Sequence, residues 1–109
     1  MRDIAEAIAM IETFTAGMNF GGFREDPKTV AAVERKLQII SEAAIRLGSE
    51  AEIRYPGPPW RNIRGMGNWL RHQYERIELS VIWQTVQADL PQLKAAVLRA
   101  LNESSTGTA

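Results

Sequence analysis

"DPKTVAAVERKLQIISEAAIRLG" (residues 26–48) is the stretch that decides the fold. Val30, Val33, Leu37, Ile40, Ala44 and Leu47 recur at alternating intervals of three and four, which gathers them on one face of an α-helix. Asp26 stands where an N-cap is needed, Pro27 suits the first helical position, and Gly48 closes the pattern. A stripe of that length is stable only against another apolar surface. The chain supplies such surfaces on both sides. Upstream, Ile4, Ala7, Ile8, Ile11 and Phe14 keep the same period, with Asp3, Glu6 and Glu12 largely toward water. Gly17, Gly21 and Gly22 in "AGMNFGGF" interrupt helix between the two segments.

Downstream, "YPGPPW" places Pro56, Pro58 and Pro59 around Gly57 and reads as a stiff loop. A third helix follows on Trp60, Ile63, Met66, Leu70, Tyr74 and Ile77, and a fourth on Leu79, Ile82, Trp83 and Val86. Asp89 and Pro91 are predicted to break and restart the chain, leaving Leu93, Val97 and Leu101 on a last helix. No segment alternates as a strand would. The expected fold is an all-α, up-and-down bundle of four to five helices with short connections, one domain over residues 1–101. Residues 102–109, "NESSTGTA", are small, polar and unpatterned, and are expected to be a disordered tail.

Composition narrows the function. A length of 109 residues suits one small core. Thirteen basic and thirteen acidic residues cancel, so no global field draws the protein onto nucleic acid and any RNA contact must be local. There is no cysteine, which removes disulfides, thiolate metal sites and a cysteine nucleophile and suits a reducing cytoplasm. A built-in zinc site needs several nitrogen or sulfur ligands, which a single histidine does not supply, and no metal or cofactor is expected. The N-terminus lacks a signal-peptide core and no apolar run approaches membrane-spanning length, so no membrane association is expected.

The chemistry-bearing segment is "GMGNWLRHQY", residues 65–74. On a helical wheel, Arg61, Asn68, His72 and Glu75 form a narrow stripe opposite the apolar face, with Arg64 and Arg71 beside it. Asn68 and His72 are four apart and therefore neighbours on the surface. Histidine moves protons near neutral pH and arginine holds phosphate through paired donors. Alone, this reads first as a solvated helix face and only second as a site. Trp60, Trp69 and Trp83 read first as core or interface residues, and Tyr74 as a packed ring with its hydroxyl at the rim.

The order of segments adds a resemblance. "AVERKLQIISEAAIRL", "YPGPPWRNIRGMGN", "LRHQY" and "ELSVIWQTVQADLPQLK" together resemble the HepT-like branch of the HEPN family, over about Ile4 to Leu101. The resemblance implies a ribonuclease toxin of a toxin–antitoxin pair that cuts RNA without metal. It implies a homodimer whose two motifs share one cleft, and a minimal nucleotidyltransferase as antitoxin. The family motif is an arginine, a polar residue and, after a short spacer, a histidine. Histidine falls on His72 and the polar residue on Asn68. The tyrosine that receives AMP groups in some members falls on Tyr74. The arginine falls on Gly67. Arg71 leans back toward the surface an arginine at 67 would cover, which makes it the first candidate substitute and Arg64 the second. The alternative is a degenerate member that still dimerises and serves as binding partner and AMPylation target of the nucleotidyltransferase.

Overall fold

The computed structural model describes the backbone of residues 1–72 and 78–107, and the side chains of that set other than 71, 72 and 104–107. Among the described residues seven α-helices follow in order: α1 (Arg2–Thr15), α2 (Phe20–Arg24), α3 (Pro27–Leu47), α4 (Ser49–Arg54), α5 (Trp60–His72), α6 (Leu79–Gln84) and α7 (Leu90–Gly107). A π turn, Thr85–Asp89, joins the last two. There is no strand among the described residues. The all-α bundle is therefore as expected, with four long rods (the fourth being α6, the π turn and α7 in line) and two short helices.

α3 is the central rod, with α1 and α5 packed along it. Val33, Leu37, Ile40 and Ala44 are buried, as are Ile4, Ala7, Ile8 and Ile11 of α1. Phe14, Val30 and Leu47 pack at the edge of the same core. The predicted start and stop of α3 hold at atomic detail. Asp26 Oδ1 accepts a hydrogen bond from the Thr29 amide at 3.2 Å. That contact holds the Asp26 carboxyl below its ordinary range. Gly48 takes φ +69°, a conformation L-residues rarely adopt, and its N–H bonds back to Ala44 and Ile45. Exposed ion pairs, Arg46–Asp3 and Lys94–Glu12, bridge α1 to α3 and α7. In that setting each contributes little beyond register.

The chain departs from the sequence pattern in four places. The glycine-rich stretch carries α2, because the Asn19 side chain accepts from the Gly22 amide and starts a turn. Phe23 then seats in the core, 5.1 Å from the Trp83 ring. Beyond Gly48 a second short helix, α4, runs before the proline loop. The expected break at Asp89 and Pro91 does not occur. Pro91 lacks an N–H and its ring crowds the carbonyl four residues earlier. Here the backbone just before it widens into a π turn, closed by Leu90 N–H to Thr85 O, and the helix continues. α7 also runs past Leu101: the tail expected from residue 102 is helical as far as Gly107. The Tyr55 hydroxyl donates to Glu103 Oε2 at 2.7 Å and ties that end to the proline loop.

Gly65 lies on the exposed side of α5, and a Cβ built there meets no atom within 4 Å. Gly65→Ala is therefore expected to stabilise the fold by roughly 0.5–1 kcal/mol. A chemical denaturation midpoint that stays level or falls would contradict this.

Candidate functional site

α5 divides as the wheel predicts. Trp60, Ile63, Met66 and Leu70 are buried to within 3% exposure, while Arg61 and Asn68 are exposed. The backbone of Arg71 and His72 completes the helix. Their side chains lie outside the described residues, as do residues 73–77, which include Tyr74, Glu75 and Ile77.

Arg64 is half-buried rather than free on the polar stripe. Its Nη2 pairs with Glu52 Oε1 of α4 at 3.2 Å. Its Nη1 is buried with no hydrogen-bond partner among the described residues. Holding that guanidinium against α4 leaves it a poor stand-in for a phosphate-binding arginine at position 67.

Gly67 is itself buried, against α3. Ser41, fully buried, accepts from the Gly67 N–H at 3.0 Å and donates to the Arg64 carbonyl at 2.9 Å. One hydroxyl thus clamps two main-chain groups of α5, using both its donor and its acceptor capacity. Position 67 is consequently a seam between α3 and α5 on this chain, and the clamp fixes the turn from which Asn68 projects.

A second feature escaped the sequence pattern. Asn62, Ile63, Met66 and Trp69 of α5 face Val81, Gln84, Thr85, Ala88 and Asp89 across an open cleft of about 330 Å³. Trp69 is half-buried at its wall, unlike Trp60, which is 1% exposed, and Trp83, which packs on Phe20 and Phe23. The π turn shapes the opposite wall. In an α-helix, residues five apart are turned about 140° from one another. With i→i+5 bonding, five residues make close to one turn, so Gln84 and Asp89 both reach the cleft. Burial raises the Asp89 carboxyl above its usual value. The only signal in the sequence for this cleft was a proline inside an apolar helical period.

Comparison with known proteins places the chain. It belongs to the ribonuclease HepT-like family, whose model matches residues 4–100. It is 42% identical over 94 residues to the protein named "Probable ribonuclease HepT" of Thermococcus cleftensis, covering 86% of each chain. Two further relatives are provisionally named RNases. One, from Caldanaerobacter subterraneus subsp. tengcongensis, is 33% identical over 80% of this chain and 78% of its own. The other, from Methanocaldococcus jannaschii, is 30% identical over 87% of each. No solved structure matches. No helix among the described residues is long and apolar enough to cross a membrane.

Proposed function

We propose that this protein is a metal-independent RNA endonuclease that works as a homodimer, the toxin of a cytoplasmic toxin–antitoxin pair with a minimal nucleotidyltransferase as antitoxin. The observation that carries the reading is the polar side of α5. In a ribonuclease-family chain, Asn68 stands exposed one helical turn before the only histidine, opposite a fully buried face.

RNA brings its own nucleophile. A base takes the proton of the 2′-OH, O2′ bonds to the adjacent phosphorus, and the bond from phosphorus to O5′ breaks. An acid delivers a proton to the leaving O5′, and a 2′,3′-cyclic phosphate remains. One imidazole supplies the base and a second the acid. A chain with one histidine meets that need by pairing with a copy of itself. Asn68 orients His72 or holds a phosphoryl oxygen. Charge growing on those oxygens needs a fixed cation. With Arg64 held by Glu52, that role falls to Arg71.

A second reading rests on Gly67. No side chain stands at the motif arginine's position, and the backbone there is engaged by Ser41. In that reading the fold is kept as a dimeric binding partner, with Tyr74 as an AMP acceptor for the nucleotidyltransferase.

The two readings separate in one experiment. Purified protein is incubated with RNA in EDTA, beside Arg71→Ala and Gly67→Arg, each checked for an intact thermal transition. The ribonuclease reading expects the wild type to cut and Arg71→Ala to lose at least about a hundredfold, the lower end for removal of one transition-state donor. Inert wild type with a cutting Gly67→Arg would establish the degenerate reading. Cleavage untouched by Arg71→Ala would remove Arg71 from the mechanism.

A further inference from the structure

We propose that the cleft between α5 and the π turn is a base-reading pocket for RNA, and that it selects guanine through the Asp89 carboxylate. This rests on the ribonuclease reading and adds to it the part of the substrate that decides where a strand is held.

The cleft has the dimensions and the walls for one base. A volume of about 330 Å³ lies at the lower end for small-ligand sites. Trp69, Met66, Ile63 and Val81 supply apolar wall, with the indole as a stacking surface. Stacking on an aromatic ring is how single-stranded bases are commonly held, with their Watson–Crick edges then open to side-chain hydrogen bonds. Asn62, Gln84 and Asp89 line the same cleft and can address such an edge, while the Thr85 hydroxyl donates to the Val81 carbonyl.

Their chemistry is selective. An ionised carboxylate only accepts hydrogen bonds and is best satisfied by two parallel donors. Guanine offers that pair, N1–H and N2–H, and beside them O6, which can accept from the carboxamide of Asn62 or Gln84. Cytosine and adenine each present one amino donor beside an unprotonated ring nitrogen. Uracil presents one N–H between two carbonyls, which a carboxylate repels. Asp89 has no cation partner among the described residues, and burial has already stripped part of its water. A site built to bond a donor pair rejects a ligand that lacks it.

The pocket also lies where a substrate base must be. Trp69 follows Asn68 directly and precedes His72 by three residues, about 4.5 Å along the helix axis. A base stacked on Trp69 would therefore lie beside the part of α5 that carries Asn68 and His72.

The test is binding of short 2′-O-methyl RNA, which lacks the nucleophile and cannot be cut. Four oligonucleotides differ only in one central base within a uridine or adenosine background. Affinity is read by fluorescence anisotropy for wild type, Asp89→Asn and Trp69→Ala, each with its thermal transition and its mass in solution. The expected result is at least a tenfold preference of the wild type for guanine, its loss in Asp89→Asn, and weaker binding of every base in Trp69→Ala. Equal affinity for all four bases in the wild type would overturn the proposal. So would a guanine preference that survives Asp89→Asn. Dissociation of a dimer by Asp89→Asn or Trp69→Ala would overturn it too, by making the cleft an interface between copies. Guanine-selective binding without cleavage of ordinary RNA would leave this pocket standing and remove the ribonuclease reading. Cleavage without any base preference would do the reverse.

Discussion

Replacing His72 with alanine is expected to lower RNA cleavage by about two to four orders of magnitude, the range for removal of a positioned general acid or base. The chain has no second histidine and no cysteine, so no other side chain titrates near neutrality without a large shift. In a shared dimer cleft the substitution removes both the base and the acid at once. The wild type should then show a bell-shaped pH dependence, because cleavage needs one imidazole neutral and its partner protonated. Mixed dimers give a sharper test. If both protomers' histidines act on one phosphate, a mixed dimer is nearly dead, and an equal mixture should retain roughly a quarter of the activity. Retention of one half would mean that each protomer works alone. DNA of the same sequence should be untouched, since it lacks the 2′-OH. Full activity in His72→Ala would return the residue to a solvated position on a helix.

The features that were legible in the sequence are those set by local periodicity and local capping. The α3 stripe, the Asp26 cap and the turn at Gly48 each depend on residues within a few positions of one another. The division of α5 into a buried and an exposed face was legible for the same reason. What the sequence hid depends on distant partners. Arg64 looked free on the wheel, but Glu52, from a short helix beyond Gly48 that the proline loop masked, holds it. That Ser41 of α3 accepts from the Gly67 N–H could not be read from either stretch alone. The cleft at Trp69 and Asp89 required a π turn, and Pro91 advertised the wrong outcome. A proline inside an apolar period ordinarily ends a helix; here Val86, Leu90, Leu93 and Val97 are all buried on one line of packing. Keeping that line buried favours widening the backbone over breaking it.

Trp60→Ala is expected to cost about 3–5 kcal/mol, the range for truncating a large buried aromatic. It would abolish activity without touching the polar stripe. Trp60 is 1% exposed and opens α5. Its indole N–H donates to the Tyr55 carbonyl at 2.8 Å, and its own amide bonds to Pro58 O at 2.8 Å. The ring therefore holds the proline loop from inside while the loop sets the angle at which α5 leaves it. Alanine would leave a cavity and also strand the buried Tyr55 carbonyl, a further loss of roughly 1–3 kcal/mol. Against a total stability of about 5–15 kcal/mol for a domain of this size, that removes most of the folded population's margin. The damage should spread along one route. Tyr55 anchors Glu103 of α7 through its hydroxyl, so loosening the loop frees the end of the last helix as well as the start of α5. Trp60→Phe separates the two contributions, keeping most of the ring and losing only the indole donor, with an expected loss nearer 1–2 kcal/mol. Urea denaturation followed by circular dichroism reads both. A Trp60→Ala midpoint close to wild type would mean that the loop is held by the prolines and not by the ring. A fold kept in Trp60→Phe with cleavage reduced would mean that the bond to Tyr55 sets the placement of Asn68 and His72, linking a core contact to the chemistry about two to three helical turns away.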